Sequence, residues 1–180
     1  MEILSNNKNK YKFKKSPFNF NIPKEYNISG EDNNILVKTG PTSLKTYIGE
    51  YELEKEIENK WKIEILNSKS NHIMVGVTTI DCDLNAFPLN KCGWYISCFT
   101  SNLYSGPPHY YYMKETNLKR VEDEITIIMN MSKGTLKFII DNEDDDDNEG
   151  ETYTNIPLDK SLIPAVILYD SNDKVKIIEC

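Results

Sequence analysis

The sequence lacks several features that define large classes of protein. No run of eighteen or more apolar residues occurs, which argues against a membrane-spanning helix. Residues 1–15 carry charge but lack the apolar stretch of a signal peptide, and Glu2 stands where myristoylation requires glycine. We therefore expect a cytoplasmic protein without a transmembrane segment.

Motifs of common catalytic and metal sites are also missing. There is no G-x-S-x-G nucleophile motif, no glycine-rich phosphate loop and no C-x-x-C pair. His72 and His109 are not spaced as zinc ligands. A partial calcium-loop pattern begins at Asp145, but Ile156 occupies the position of the bidentate glutamate. We expect no enzymatic activity, no cofactor and no metal site.

Positive charge is scarce and unevenly placed. The chain has 21 Lys and Arg against 28 Asp and Glu, a net charge of −7, and Arg120 is its only arginine. Residues 1–17 carry +4, which leaves −11 for the remainder. Because duplex binding depends on clustered cations, nucleic acid is not expected as the main partner. Like charges across an interface oppose binding, so we expect a neutral or basic protein or peptide partner.

The length of 180 residues fits one domain, and neither an internal repeat nor a linker divides the chain. We predict a flexible Lys/Asn-rich tail over residues 1–17 and one domain over residues 18–180, present as a monomer. Eight of the eleven residues 141–151 are acidic, which predicts a solvated loop within that domain. Four cysteines are predicted to be reduced and in or near the core: Cys82, Cys92, Cys98 and Cys180.

Short stretches in which apolar and polar residues alternate indicate an all-β protein. Gly76 inside one stretch predicts a bulge or a close backbone approach, and Gly134 predicts a tight hairpin turn. Nine or more strands at this spacing favour two packed antiparallel sheets. The predicted strands are 35–38, 44–48, 61–66, 73–78, 94–99, 125–131, 135–140, 163–169 and 174–179. Four residues are assigned to the core: Trp61, Trp94, Phe138 and Val166.

Glutamates alternate with other residues from Glu52 to Glu58. The pattern is typical of the solvent face of an edge strand, and it also resembles the paired carboxylates of a glycosidase sheet. Nothing in the sequence would raise the pKa of a carboxyl group there, so the solvent-face interpretation is favoured.

Five sequence motifs, in this order, resemble the SPRY (B30.2-type) domain family. The resemblance runs from about Phe18 to Cys180. The motifs are Trp61-Lys62-Ile63-Glu64-Ile65 followed by Ile73-Met74-Val75-Gly76-Val77, Gly93-Trp94-Tyr95 with Leu103-Tyr104, Asp123-Glu124-Ile125-Thr126-Ile127, Lys133-Gly134-Thr135-Leu136-Lys137-Phe138, and Leu162-Ile163-Pro164-Ala165-Val166 with Val175-Lys176-Ile177.

The resemblance implies a bent β-sandwich of two antiparallel sheets, of the concanavalin-like jelly-roll type. It also implies a non-catalytic module that binds a short peptide or a folded partner protein through loops at one end of the sandwich, in some members as an adaptor. Two alternatives stay open, namely a lectin-like glycan-binding sandwich and a structural subunit of a larger complex. An exposed aromatic platform on a concave sheet face would favour glycan binding, and a large apolar patch would favour a permanent complex.

Three loop regions of the family correspond to partner-binding residues in this sequence. In the first, Gly40-Pro41 stands where the family has Arg-Pro, and in the third, Tyr169-Asp170 stands where it often has Trp-Gly. These departures alter the expected specificity but leave a pocket of Pro41, Phe87 and Tyr169. The run from Pro107 to Tyr112 is a further candidate interface. The predicted partner-binding residues are Thr39, Gly40, Pro41, Thr42, Asn85, Phe87, Tyr169 and Asp170.

Overall fold

The computed structural model describes residues 26–29, 34–49, 52–82, 92–105, 112–140 and 150–180. These residues form thirteen β-strands. Within the same ranges the chain has no helix with the length and apolarity that crossing a membrane requires. The strands are β1 Tyr26–Ser29, β2 Ile35–Lys38, β3 Lys45–Ile48, β4 Glu58–Asn67, β5 Met74–Thr79, β6 Gly93–Ser97, β7 Leu103–Ser105, β8 Tyr112–Lys114, β9 Glu124–Asn130, β10 Thr135–Ile140, β11 Gly150–Tyr153, β12 Leu162–Leu168 and β13 Lys174–Glu179.

The strands form two sheets that pack into a sandwich. The seven-stranded sheet has the order β1-β2-β13-β4-β9-β10-β11, and the six-stranded sheet has the order β3-β12-β5-β6-β7-β8. Every neighbouring pair is antiparallel. The predicted fold class, a sandwich of two antiparallel sheets, is confirmed.

The core lies between the sheets, where alternate residues of each strand point inward. In β4, Trp61 and Ile63 are buried while the lysines beside them are not. All four residues assigned to the core from the sequence are confirmed there: Trp61, Trp94, Phe138 and Val166. The interior strand β12 is buried along its whole length, because Ala165 and Ile167 on its outer face belong to a second apolar cluster.

Two glycines have the roles that the sequence predicts. A Cβ atom at Gly76 would overlap the carbonyl oxygen of Trp94 on the neighbouring strand β6, so this position is a close backbone approach. Gly134 closes the β9–β10 hairpin with φ of +62°, a conformation that glycine adopts without strain.

The structure corrects several predicted boundaries. The predicted strand 94–99 ends at Ser97, and Phe99 lies in the following turn with 43% of its surface exposed. Residues 52–57 form no strand, although all the glutamates from Glu52 to Glu58 are exposed as expected. Gly150 and Glu151 belong to strand β11, so the predicted acidic loop is two residues shorter at that end. Its remaining residues, 141–149, lie outside the described residues, as do the tail 1–17 and residues 107–111.

Four strands are absent from the sequence-based prediction: β1, β7, β8 and β11. Each has only three or four residues, too few to show alternation over a useful length. Three of the four, β1, β8 and β11, are edge strands with a neighbour on one side only, and β7 lies next to β8.

Candidate interaction surface

Strand pairing decides which loops share an end of the sandwich. Lys174, the first residue of β13, pairs with Asn67 of β4 and with Val37 of β2. In the other sheet Ile167, near the end of β12, pairs with Met74 at the start of β5. The loops that leave these strands therefore share one end, which we call the Tyr169 end. They are residues 39–44, 68–73 and 169–173.

Two further loops reach the same end. Ser97 at the end of β6 pairs with Met74, so the β6–β7 loop follows there. Glu124 at the start of β9 pairs with Glu64 near the end of β4, so the β8–β9 loop arrives there. These loops are residues 98–102 and 115–123. Five loops therefore surround the Tyr169 end.

The structure brings two of the three predicted partner-binding loops together. The N–H group of Ser43 donates to the carbonyl oxygen of Tyr169 at 3.0 Å, and the N–H group of Asn172 donates to the carbonyl oxygen of Lys38 at 2.8 Å. The first and third loops are therefore neighbours, as the prediction requires. Thr39, Pro41 and Thr42 are exposed, and Gly40 is half-buried.

A buried lysine shapes the first loop. Lys38 is fully buried, and its ammonium group donates to the carbonyl oxygen of Gly40 at 3.2 Å and to that of Pro41. Burying an ammonium group is unfavourable unless its donors are paired. The loop carbonyl groups supply that pairing, so residues 39–42 fold around the charge.

Two buried aspartates hold the third loop. Asp173 accepts the N–H groups of Tyr169 at 3.0 Å and of Asp170 at 2.8 Å, and its other oxygen accepts the hydroxyl of Ser68 at 2.7 Å. Asp170, one of the predicted partner-binding residues, accepts the N–H group of Ser70 at 3.1 Å and its hydroxyl as well. Its carboxylate thus faces the β4–β5 loop and ties residue 170, next to Tyr169, to that loop.

The remaining predicted residues, Asn85 and Phe87, lie outside the described residues. The flanking residues Cys82 and Cys92 are at the end of the sandwich opposite Tyr169, because the carbonyl oxygen of Cys92 accepts the N–H group of Thr79 where β5 ends. We call this opposite end the Gly134 end, after the β9–β10 turn that it carries. The pocket formed with Phe87 stays a prediction.

Four side chains from four loops form a continuous row across the Tyr169 end. The ring of His72 meets the ring of Tyr169 edge-on at 5.4 Å between centroids and the ring of Phe99 at 4.8 Å. The guanidinium carbon of Arg120 lies 5.1 Å from the centroid of Phe99. We call these four residues the aromatic row. Tyr169 is half-buried, and the other three are exposed.

Three members of the aromatic row, His72, Phe99 and Arg120, are not among the residues predicted from the sequence. Phe99 falls at the end of the predicted strand 94–99, where its side chain would point to one sheet face and those of its neighbours to the other. His72 and Arg120 are isolated polar residues with no motif around them. Only the strand order places their three loops beside Tyr169.

A polar cleft of about 440 Å³ lies next to the row, with Arg120 as a member of both. Asn71 in its wall is buried, and its amide nitrogen donates to the carbonyl oxygen of Val121 at 2.6 Å. This contact fixes the orientation of the amide, because the nitrogen must face the carbonyl. The cleft thus adds a preorganised polar surface to the aromatic row. Its other lining residues are Ile65, Leu66, Asn67, Ser68 and Glu122.

Comparison with known proteins identifies the family. The model of the SPRY domain family matches residues 58–180. No curated protein sequence matches the chain. Solved structures that share the fold at low sequence identity include the following three.

The SPRY domain of human HERC1 superimposes with a TM-score of 0.62 at 18% identity, covering 86% of this chain and 92% of that one. The TRIM65 PSpry domain gives a TM-score of 0.65 at 12% identity, covering 94% of this chain and 89% of that one. Stonustoxin gives 0.68 at 14% identity, covering 93% of this chain but 27% of the toxin chain.

The family match extends from the start of β4 to the last residue and therefore includes four of the five loops at the Tyr169 end. SPRY domains are generally non-catalytic modules that bind protein partners. The strand pattern, the sheet order and the family match agree, and the chain belongs to the SPRY domain family.

Proposed function

We propose that this SPRY domain binds a protein partner, presented as a short peptide or a folded surface, at the Tyr169 end. The aromatic row is the observation that carries the proposal. Tyrosine and arginine are enriched among the residues that dominate binding energy at protein interfaces, and buried aromatic rings anchor such contacts. Exposed aromatic side chains at the loops support protein binding over the glycan-binding alternative, which calls for a platform on a concave sheet face.

The loops at this end are held in place before a partner arrives. Asp173 and Asp170 join the β12–β13 loop to the β4–β5 loop, and buried Lys38 holds residues 39–42. A surface that is already ordered loses little conformational entropy on binding. The aromatic row can therefore contribute most of its contact energy to affinity.

The net charge at long range and Arg120 at contact distance both indicate the charge of the partner. The net charge of −7 favours the approach of a neutral or basic partner. At short range the guanidinium of Arg120, held over Phe99, presents the planar donors that suit a carboxylate. We therefore propose a neutral or basic partner whose contacting segment contains one acidic side chain. The proposal includes a monomeric, non-catalytic domain in the cytoplasm.

The experiment is capture from a lysate of the source cell with the immobilised protein, followed by affinity measurement between purified components. Phe99→Ala and Tyr169→Ala are the test variants. Leu158→Ala is the matched control, because Leu158 is 45% exposed, close to the 43% of Phe99, and lies beside Gly134 at the opposite end. Each variant must first melt like the parent.

We expect the control to bind like the parent and Phe99→Ala to lose roughly 30-fold in affinity, the change typical of a residue at the centre of an interface. Equal affinity of Phe99→Ala, Tyr169→Ala and the parent would refute binding at the aromatic row. If the protein is an adaptor, the immobilised parent should capture two different proteins, and Tyr169→Ala should lose only one of them. A single captured protein would argue against that role.

A further inference from the structure

Cys82 and Cys92 lie side by side, although residues 83–91 separate them in the sequence. The N–H group of Thr79 donates to the carbonyl oxygen of Cys92 at 3.0 Å. The N–H group of Cys82 donates to the carbonyl oxygen of Thr79 at 3.2 Å. Both cysteines are thus hydrogen-bonded to the main chain of Thr79. Their side chains are neighbours as well, since Cys92 is among the groups that raise the pKa of Cys82.

The backbone places both cysteines close to Thr79. The bond from Cys82 to Thr79 closes a four-residue turn, whose end Cα atoms lie within about 7 Å of each other. Thr79 faces Cys92 across the ladder of β5 and β6, immediately beyond the Thr78–Gly93 pair, at a typical Cα separation of about 5 Å. Thr79 therefore lies next to both cysteines, and a disulfide between them requires their Cα atoms to come within about 6.8 Å of each other.

The two thiols differ in their access to solvent. Cys82 is 7% exposed, whereas Cys92 is half-buried. Burial, together with the contact to Cys92, raises the pKa of Cys82 to about 12, so Cys82 stays protonated at neutral pH. A small oxidant in solution therefore meets Cys92 first, and Cys82 is the second sulfur to react.

We propose that Cys82 and Cys92 form a reversible dithiol–disulfide pair that reacts with low-molecular-weight disulfides such as oxidised glutathione. The Cys92 sulfur, on loss of its proton, attacks one sulfur of the small disulfide, so that a mixed disulfide forms at Cys92 as the small molecule's S–S bond breaks and one thiol leaves. The Cys82 sulfur then displaces the second thiol and forms the Cys82–Cys92 bond. The pair loses two electrons and two protons, which reduce one small disulfide to two thiols.

This bond would join the end of β5 to the start of β6 on either side of residues 83–91. Disulfides in cytosolic proteins are usually transient and redox-sensing, which fits a pair with one half-buried sulfur. The inference stands on the contacts around Thr79 and is independent of partner binding at the Tyr169 end.

The test treats the purified full-length chain with oxidised glutathione, blocks residual thiols and maps the cysteines by mass spectrometry. Digestion with trypsin separates Cys82 from Cys92 after Lys91, and chymotrypsin separates Cys92 from Cys98 after Trp94 or Tyr95. We expect a linked pair of peptides that contain Cys82 and Cys92, with a loss of two hydrogens. Cys180→Ser is the control, since Cys180 is exposed and outside the pair.

Cys82→Ser gives the sharper result. Without the second sulfur, Cys92 should retain one glutathione, whereas the parent and Cys180→Ser should not. Retention of glutathione on Cys92 in the parent, a disulfide between other cysteines, or no reaction at Cys92 would each overturn the proposal. If Cys82→Ser fails to melt like the parent, phenylarsine oxide replaces it, because this reagent forms its stable adduct with two closely spaced thiols. Absence of a stoichiometric adduct on the parent's Cys82 and Cys92 would then refute the pair.

Discussion

Replacement of Asp173 by alanine should loosen the whole Tyr169 end. Asp173 is fully buried and accepts three hydrogen bonds, from the N–H groups of Tyr169 and Asp170 and from the hydroxyl of Ser68. The Ser68 hydroxyl can turn toward another acceptor, but the two N–H groups are fixed by the backbone. Asp173→Ala therefore leaves two N–H donors without this partner, one of them, that of Asp170, in a buried hydrogen bond.

The expected cost follows from these two donors. A hydrogen bond to a charged acceptor contributes about 1.5–3 kcal/mol, and relief of the buried carboxylate's desolvation offsets part of the loss. We expect Asp173→Ala to lower the free energy of unfolding by about 3 kcal/mol, which corresponds to roughly 10 °C in Tm for a chain of this size. Asp173→Asn keeps one oxygen toward both N–H groups and should cost about 1 kcal/mol.

Urea unfolding followed by tryptophan fluorescence measures the effect, with Asp159→Ala as the control. Asp159 is an exposed aspartate on the β11–β12 connection, so its removal should change stability by less than about 0.5 kcal/mol. A loss of stability that decreases from Asp173→Ala to Asp173→Asn to Asp159→Ala is expected if Asp173 holds this end through its hydrogen bonds. If Asp173→Ala unfolds at the same urea concentration as Asp159→Ala, Asp173 does not hold this end.

Two further predictions concern positions away from the site. Gly76→Ala should destabilise the fold by about 3 kcal/mol or prevent folding, because its Cβ would overlap the Trp94 carbonyl oxygen. A soluble Gly76→Ala protein that unfolds at the same urea concentration as the parent would contradict the close approach. Burial raises the pKa of Cys98 to about 12, so the unfolded chain ionises this thiol first and stability should fall between pH 9 and 12. This loss of stability should be smaller in Cys98→Ala. If the unfolding free energy falls equally with pH in parent and variant, Cys98 is not its source.

Much of the fold could be predicted because burial leaves a local trace in each strand. Residues 35–38, 135–140 and 174–179 are strands with the predicted bounds, and Gly134 turns the predicted hairpin. Alternation of apolar and polar residues is imposed on each strand by the two faces of a sheet, so it can be read without the partner strand. Short strands such as β7 and β8, of three residues each, leave too little of this pattern to be predicted.

The candidate site is different, because its residues share no local pattern. An all-β chain, its long strands, its core aromatics and, through five ordered motifs, its resemblance to SPRY domains can all be inferred from local sequence patterns. The tertiary structure decided which loops meet, since β12 lies between β3 and β5, and β13 between β2 and β4. That order brings His72, Phe99 and Arg120 to Tyr169, turns Asp170 inward and sets Cys82 beside Cys92. Pairing of distant strands depends on the summed packing of the whole core, and no short stretch of sequence carries that information.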